Sequence, residues 1–152
     1  GNDLRKVLLK NFTNSVVSTF DKPATEHGKR LEKIIRRARE KNPNLPIYVI
    51  GIYNPFYLNF PELTDMQLVV DKWNQETESR TRKFSGVYFV PINDLLYKGL
   101  EGEQGVSVNT SKIANNLLYG EDSFHPNNTG YEIIKQAVME KIRATKQEWK
   151  NK

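Results

Sequence analysis

The sequence predicts a doubly wound α/β domain. Helical periodicity alternates along the chain with short β-branched runs, in the order helix, helix, strand, helix, strand, helix. Both strand candidates, residues 47–52 and 86–90, are almost wholly apolar, as strands buried on two faces of a parallel sheet are. The length of 152 residues suits one domain, and folding at that size buries roughly 68–70% of the extended chain's surface.

The elements follow in order. Leu4, Val7, Leu8 and Phe12 recur at helical spacing behind Asp3, an N-cap candidate, so residues 3–14 read as a helix. Pro23 and Gly28 are expected to interrupt the chain before the next one. Leu31, Ile34, Ile35 and Ala38 then form an apolar stripe with basic residues on the other faces, and the helix is expected to stop near Asn42-Pro43. After the first strand, residues 53–62 carry two prolines and the aromatics Tyr53, Phe56, Tyr57 and Phe60, the pattern of a structured loop leaving a strand's carboxyl end. Thr64 or Asp65 caps a helix whose inner face is Met66, Val69, Val70, Trp73 and Thr77. Pro91 follows the second strand where a short helix or turn starts. Residues 99–110 read as a polar loop, and residues 130–149 as a closing helix with Ile134, Ala137, Val138 and Ile142 inward. A sheet of this class usually holds about five strands. Two are visible, so the missing strands are expected upstream of Gly1.

Composition narrows the function. Hydrophobic residues make up 38% and charged residues 27%, the balance of a soluble globular domain. No apolar run approaches the ~18–20 residues of a membrane-spanning helix. Cysteine is absent, which excludes disulfides, thiolate metal sites and thiol nucleophiles. The formal charge of +5 is concentrated in residues 29–41, where Lys29, Arg30, Lys33, Arg36, Arg37, Arg39 and Lys41 face only Glu32 and Glu40. A lysine and arginine face opposite an apolar stripe is usually just solvated. No aromatics are interleaved with it, so nucleic acid is not an expected partner. His27 reads as a solvated histidine at the start of that helix.

The stretch that carries chemistry is Asp122-Ser123-Phe124-His125-Pro126-Asn127-Asn128-Thr129-Gly130-Tyr131. An aspartate three residues before a histidine can set its carboxylate against Nδ1. That contact fixes the tautomer and leaves Nε2 free to take a proton from a nucleophile. Two ligands from one loop are too few for a metal site, so neither a metal nor a cofactor is expected.

The motif D-x-x-H-P-N-x-x-G-Y resembles the last block of the SGNH, or GDSL-type, hydrolases. The opening Gly1-Asn2-Asp3 is similar to that family's G-x-N-D block, and Tyr53-Asn54-Pro55-Phe56 looks like its lipase/acylhydrolase branch in Gram-positive bacteria. The resemblance runs from residue 1 to about residue 145. It implies a flavodoxin-like three-layer α/β/α sandwich with strand order 2-1-3-4-5, here without its first three strands. It also implies that Asp122 and His125 complete a serine triad and that the Asn2 amide donates to the oxyanion. Gly1, Asn54, Phe56 and Tyr57 are the substrate-binding candidates. By the same resemblance the setting is secreted or at the cell surface of a Gram-positive bacterium.

One departure shapes the expectation. The family's G-D-S nucleophile block is not in this sequence, nor is its oxyanion glycine block. Ser15, Ser18, Ser79, Ser85, Ser107, Ser111 and Ser123 all lie in other contexts, and Ser123 sits between the aspartate and histidine of one loop. The expected function is therefore an ester hydrolase acting on a small ester or acylated molecule, with its serine upstream of Gly1. Its partner would be its own amino-terminal fragment, and this chain alone would be inactive, since losing a triad serine costs about 10⁶ in turnover. The alternative is a non-catalytic module on the same fold that binds a glycan or an anionic ligand through the basic helix or the aromatic loop.

Overall fold

A computed structural model describes residues 17–57, 63, 65–99, 118–120, 122 and 124–150. The expected helix over residues 3–14 lies outside them, as do Gly1, Asn2, Phe60, Thr64, Ser123 and most of the expected loop over residues 99–110. A 3₁₀ turn, Val17–Phe20, leads into helix α1, Asp21–Ala38. Strand β1, Ile47–Ile50, is followed by helix α2, Asp65–Thr81, and strand β2, Val87–Val90. A short helix α3, Asn93–Leu96, precedes the long helix α4, Asn128–Lys150.

The two strands are parallel, paired Ile47 with Val87 through Ile50 with Val90. Bonds from Ile47 N to Gly86 O (3.0 Å) and from Gly51 N to Val90 O (2.9 Å) extend the ladder at both ends. Parallel neighbours need a crossover connection, which α2 supplies. Alternation along the strands then sorts side chains between two faces. On one face Phe89 lies beside Gly51 and Asn74, toward α2. On the other, the stacked rings of Tyr48 and Tyr88, with centroids 5.1 Å apart, meet α4. The Tyr48 hydroxyl is 2.7 Å from Thr145 Oγ1 and accepts from Trp149 Nε1 at 3.0 Å. Tyr88 donates to Glu148 at 2.9 Å. The result is helix, sheet and helix in three layers, the α/β class expected.

Each outer layer has its own core. Phe20, Ala24, Val69, Val70 and Trp73 form the first, with Ile52 packed on them. Val90, Ile92, Leu96, Leu118 and Tyr119 form the second, under Ile133, Ile134, Ala137 and Val138 of α4. The inner face of α2 is the expected one: Met66, Val69, Val70, Trp73 and Thr77 are all buried.

Three local readings are corrected. Pro23 does not interrupt the second helix; it sits in the first turn of α1, where its missing N–H would have had no intrahelical partner. Gly28 is also inside α1, buried against the side chains of Glu76 and Arg80. The apolar stripe of α1 is turned from the expected phase. Ala24, Gly28 and Ile35 are buried, whereas Ile34 is 64% exposed. Glu32 explains part of the rotation, since it is drawn onto α2 by Arg80 Nη1 at 2.8 Å and Lys83 at 2.9 Å. Finally, β1 is not buried on both faces, for its residues are half-buried and Ile50 is exposed.

The basic face of α1 is exposed, as expected, and its contacts are mostly local ones at the surface. Lys29 pairs with Glu26, Arg37 with Glu40, and Arg36 lies 5.0 Å over the Phe84 ring. Arg39 donates to Leu45 O through Nε (3.0 Å) and Nη2 (2.8 Å), closing the turn that leads into β1. His27, by contrast, is not simply solvated; it is half-buried, and its ring packs on Trp73 with centroids 5.3 Å apart. No helix among the described residues is long and apolar enough to cross a membrane.

Candidate active site

The site grows from the carboxyl end of β1. Immediately after that strand, Asn74 of α2 clamps the backbone of Ile52. Its Oδ1 accepts from Ile52 N and its Nδ2 donates to Ile52 O, both at 2.9 Å. The amide thus offers one donor and one acceptor to the chain, as a neighbouring strand would. The next residues turn sharply, and Asn54 builds the turn. Its Oδ1 accepts from Phe56 N at 3.0 Å, its Nδ2 donates to Gln67 Oε1, and its own N–H donates to Asn93 Oδ1 at 2.9 Å. Asn54 is only 2% exposed. Its burial and its bonds make it a shaper of the loop rather than a group presented at the surface.

The second component is the loop running from Tyr119 into α4. Tyr119 and Pro126 form an antiparallel bridge, with bonds from Gly120 N to His125 O and from Asn127 N to Leu118 O, both 2.8 Å. Asn127 Oδ1 then accepts from Gly130 N at 3.0 Å, in the manner of an N-cap, as α4 begins. Gly130 has to be glycine on steric grounds. A Cβ there would lie 2.4 Å from Leu118 O and 2.8 Å from Pro126 Cβ, so the helix can start this close to the loop only without one.

Within this loop Asp122 and His125 are brought together as the spacing predicts. Asp122 Oδ2 lies 2.5 Å from His125 Nδ1. Its Oδ1 accepts from the backbone N–H groups of Phe124 (3.0 Å) and His125 (2.9 Å). The bond to the imidazole, then the two amides, hold the Asp122 carboxyl down to about 2. It is therefore ionised at neutral pH and accepts only, which places the imidazole proton on Nδ1. Among the described residues no hydrogen-bond partner lies on Nε2, and the His125 side chain is 63% exposed. A histidine of this kind can take a proton at Nε2 from a group brought up to it.

Aromatic rings extend from one side of the pair. Phe124 meets the His125 ring edge-on at 5.1 Å, and Phe56 lies 6.0 Å from Phe124. Tyr57 packs edge-on against Tyr97 at 4.8 Å. Phe56 and Tyr57 thus stand on the same side of the domain as His125, at the carboxyl ends of the strands where α/β proteins hold their ligands. Neither described serine with a placed side chain belongs to this end. Ser79 is in the last turn of α2 and Ser85 just before β2, both toward the amino ends of the parallel strands.

Sequence reasoning misses Asn74 and Asn93 here, and it finds Tyr53 only as an aromatic of the loop, not as a donor to the histidine segment. All act across long stretches of chain. The Tyr53 hydroxyl donates to Phe124 O at 2.8 Å over 71 positions, and nothing local to a tyrosine signals such a partner.

The sequence profile of the GDSL-like Lipase/Acylhydrolase family matches residues 1–133. Over 143 residues the chain is 34% identical to the uncharacterized protein YpmR of Bacillus subtilis (strain 168), an alignment covering 94% of this chain and 51% of YpmR. The chain thus spans about half the length of that curated relative.

Proposed function

The chain belongs to the GDSL-like lipase/acylhydrolase family, and on that premise we propose that it is the base-bearing part of a serine-dependent carboxylic-ester hydrolase. The observation that carries this reading is the 2.5 Å contact between Asp122 Oδ2 and His125 Nδ1, in a histidine whose side chain is largely exposed. The nucleophilic serine lies in sequence upstream of Gly1. Its hydroxyl attacks the acyl carbonyl of the substrate while His125 Nε2 takes the hydroxyl proton. The tetrahedral intermediate then expels the alcohol, which receives that proton back from Nε2. Water, deprotonated by the same nitrogen, adds to the acyl-enzyme carbonyl; the second tetrahedral intermediate breaks its bond to the serine oxygen, which takes the proton back from Nε2 as the carboxylic acid leaves. Asp122 holds the ring through these proton transfers and stabilises the imidazolium.

Asn2 is assigned as an oxyanion donor with Gly1 beside it; one such donor is worth about 10²–10³ in rate. Phe56 and Tyr57, with Phe124, offer an apolar wall to the acyl or alcohol group, and Asn54 acts through the shape of their loop. The substrate class is a small ester or acylated molecule. A secreted or cell-surface setting in a Gram-positive bacterium belongs to the same proposal, and a cysteine-free composition is compatible with it.

Fluorophosphonate labelling tests the reading. Protein expressed from the reading frame extended upstream of Gly1 is expected to gain one adduct, on a serine of a G-D-S sequence. An extended protein that takes no adduct overturns the proposal and leaves a binding module on this fold.

A further inference from the structure

We propose that Tyr53 is a positioning residue for His125, its hydroxyl holding the peptide unit from which the imidazole is aimed. The inference rests on the hydrolase reading for its use, but its geometry is independent of it. The peptide between Phe124 and His125 has two polar ends. Its N–H donates to Asp122 Oδ1 at 2.9 Å, and its carbonyl accepts from Tyr53 at 2.8 Å. Rotating that peptide plane breaks both bonds together. The following carbonyl, of His125 itself, accepts from Gly120 N at 2.8 Å. The backbone on both sides of the histidine is thereby fixed, and the ring is left with only its side-chain torsions, which Asp122 closes through Nδ1.

Tyr53 is itself held rigidly. Its ring packs on Tyr119 with centroids 5.6 Å apart, and Tyr119 is 2% exposed and anchored by its hydroxyl to Leu96 O at 3.2 Å. On the other side, the Asn74 clamp on Ile52 and the Asn93 bond to Asn54 N bracket Tyr53 in the backbone. The tether therefore runs from the end of β1 to the histidine loop. Burial raises the Tyr53 hydroxyl well above its ordinary range, so it stays a donor through any pH at which an esterase works. Displacements of about 1 Å at a catalytic group can cost 10² in rate, which is the scale on which such a tether acts.

The test reads the imidazole, not turnover. With the ring neutral, ¹⁵N chemical shifts of His125 give the ratio of Nδ1–H to Nε2–H tautomers in this chain. The wild type is expected to be mainly Nδ1–H. Tyr53→Phe removes only the hydroxyl and is expected to move the ratio at least ten-fold toward Nε2–H, with the amide spectrum otherwise native. Tyr88→Phe removes a hydroxyl that bonds Glu148 of α4 and takes no part in the tether, and is expected to leave the ratio unchanged. An unchanged ratio in Tyr53→Phe overturns the proposal, and so does an equal change in both variants. Should Tyr53→Phe not fold, the wild type decides. A slowly exchanging Tyr53 hydroxyl proton with Overhauser contacts to His125 is expected, and its absence overturns the tether. Failure of the hydrolase reading shows separately, as an extended protein that takes no fluorophosphonate adduct.

Discussion

Asp122 grips His125 at two points, the ring nitrogen Nδ1 through Oδ2 at 2.5 Å and the backbone N–H through Oδ1 at 2.9 Å. One carboxylate therefore fixes both the position of the histidine backbone and the tautomer of its ring. Nothing else among the described residues reaches Nδ1. The pair lies within four consecutive positions, on a loop that the Tyr119–Pro126 bridge closes.

Asp122→Asn separates these two roles. The asparagine Oδ1 can still accept from the two backbone amides, so the fold is expected to persist. Its Nδ2 can only donate, which forces the ring proton onto Nε2 and removes the base. In the extended protein turnover is expected to fall about 10⁴-fold, the size of the corresponding change in a serine triad. Ester turnover and the ¹⁵N tautomer ratio, measured on the same variant, check it.

Acid should release the loop in a defined window. The Asp122 carboxyl is lowered from 3.8 to about 2 by its bonds to His125 and the two amides. A carboxylate depressed in the folded state adds order that is complete above its unfolded value and is lost as pH falls through the folded one. The Asp122 bonds in the folded chain are thus expected to be intact at about pH 4 and to be lost as pH falls through about 2. Chemical shifts of the Phe124 and His125 amides report it, and Asp122→Ala should abolish the transition.

Gly130→Ala is expected to cost about 1–3 kcal/mol, the usual range for overpacking. The new methyl would meet a backbone carbonyl, Leu118 O, at 2.4 Å, and that carbonyl is held by Asn127 N at 2.8 Å. Denaturant unfolding measures the loss. Since α4 and the histidine loop meet here, the His125 signals should shift as well.

Truncating Trp73, which is 1% exposed at the centre of the first core, is expected to be more severe. Trp73→Ala should cost about 3–5 kcal/mol. It also removes the surface on which His27 rests, so the His27 ring shifts should move to those of a solvated imidazole while His125 keeps its own.

Some of this was legible in the residues and some was not, for physical reasons. The α2 face was readable because five inward residues keep one helical phase. The Asp122–His125 pair was readable because three positions of spacing on a loop leave a carboxylate few other places to go. The phase of α1 was misread because its contact face includes Gly28, which carries no hydrophobic signal yet is buried against Glu76 and Arg80. The part Asn54 plays is not legible in its neighbours, because its amide is consumed by the turn it makes and by Gln67. Asn74 and Tyr53 act over 22 and 71 positions, distances at which only the folded chain reveals a partner.

The central claim, that His125 is the base for a serine upstream of Gly1, is tested most directly by one comparison. Hydrolysis of a p-nitrophenyl ester is measured for the upstream-extended protein and for its His125→Ala variant. Turnover in the variant is predicted to fall by about 10⁴-fold or more, with thermal unfolding unchanged because the histidine side chain is largely exposed. A variant that keeps most of the wild-type turnover would contradict the account.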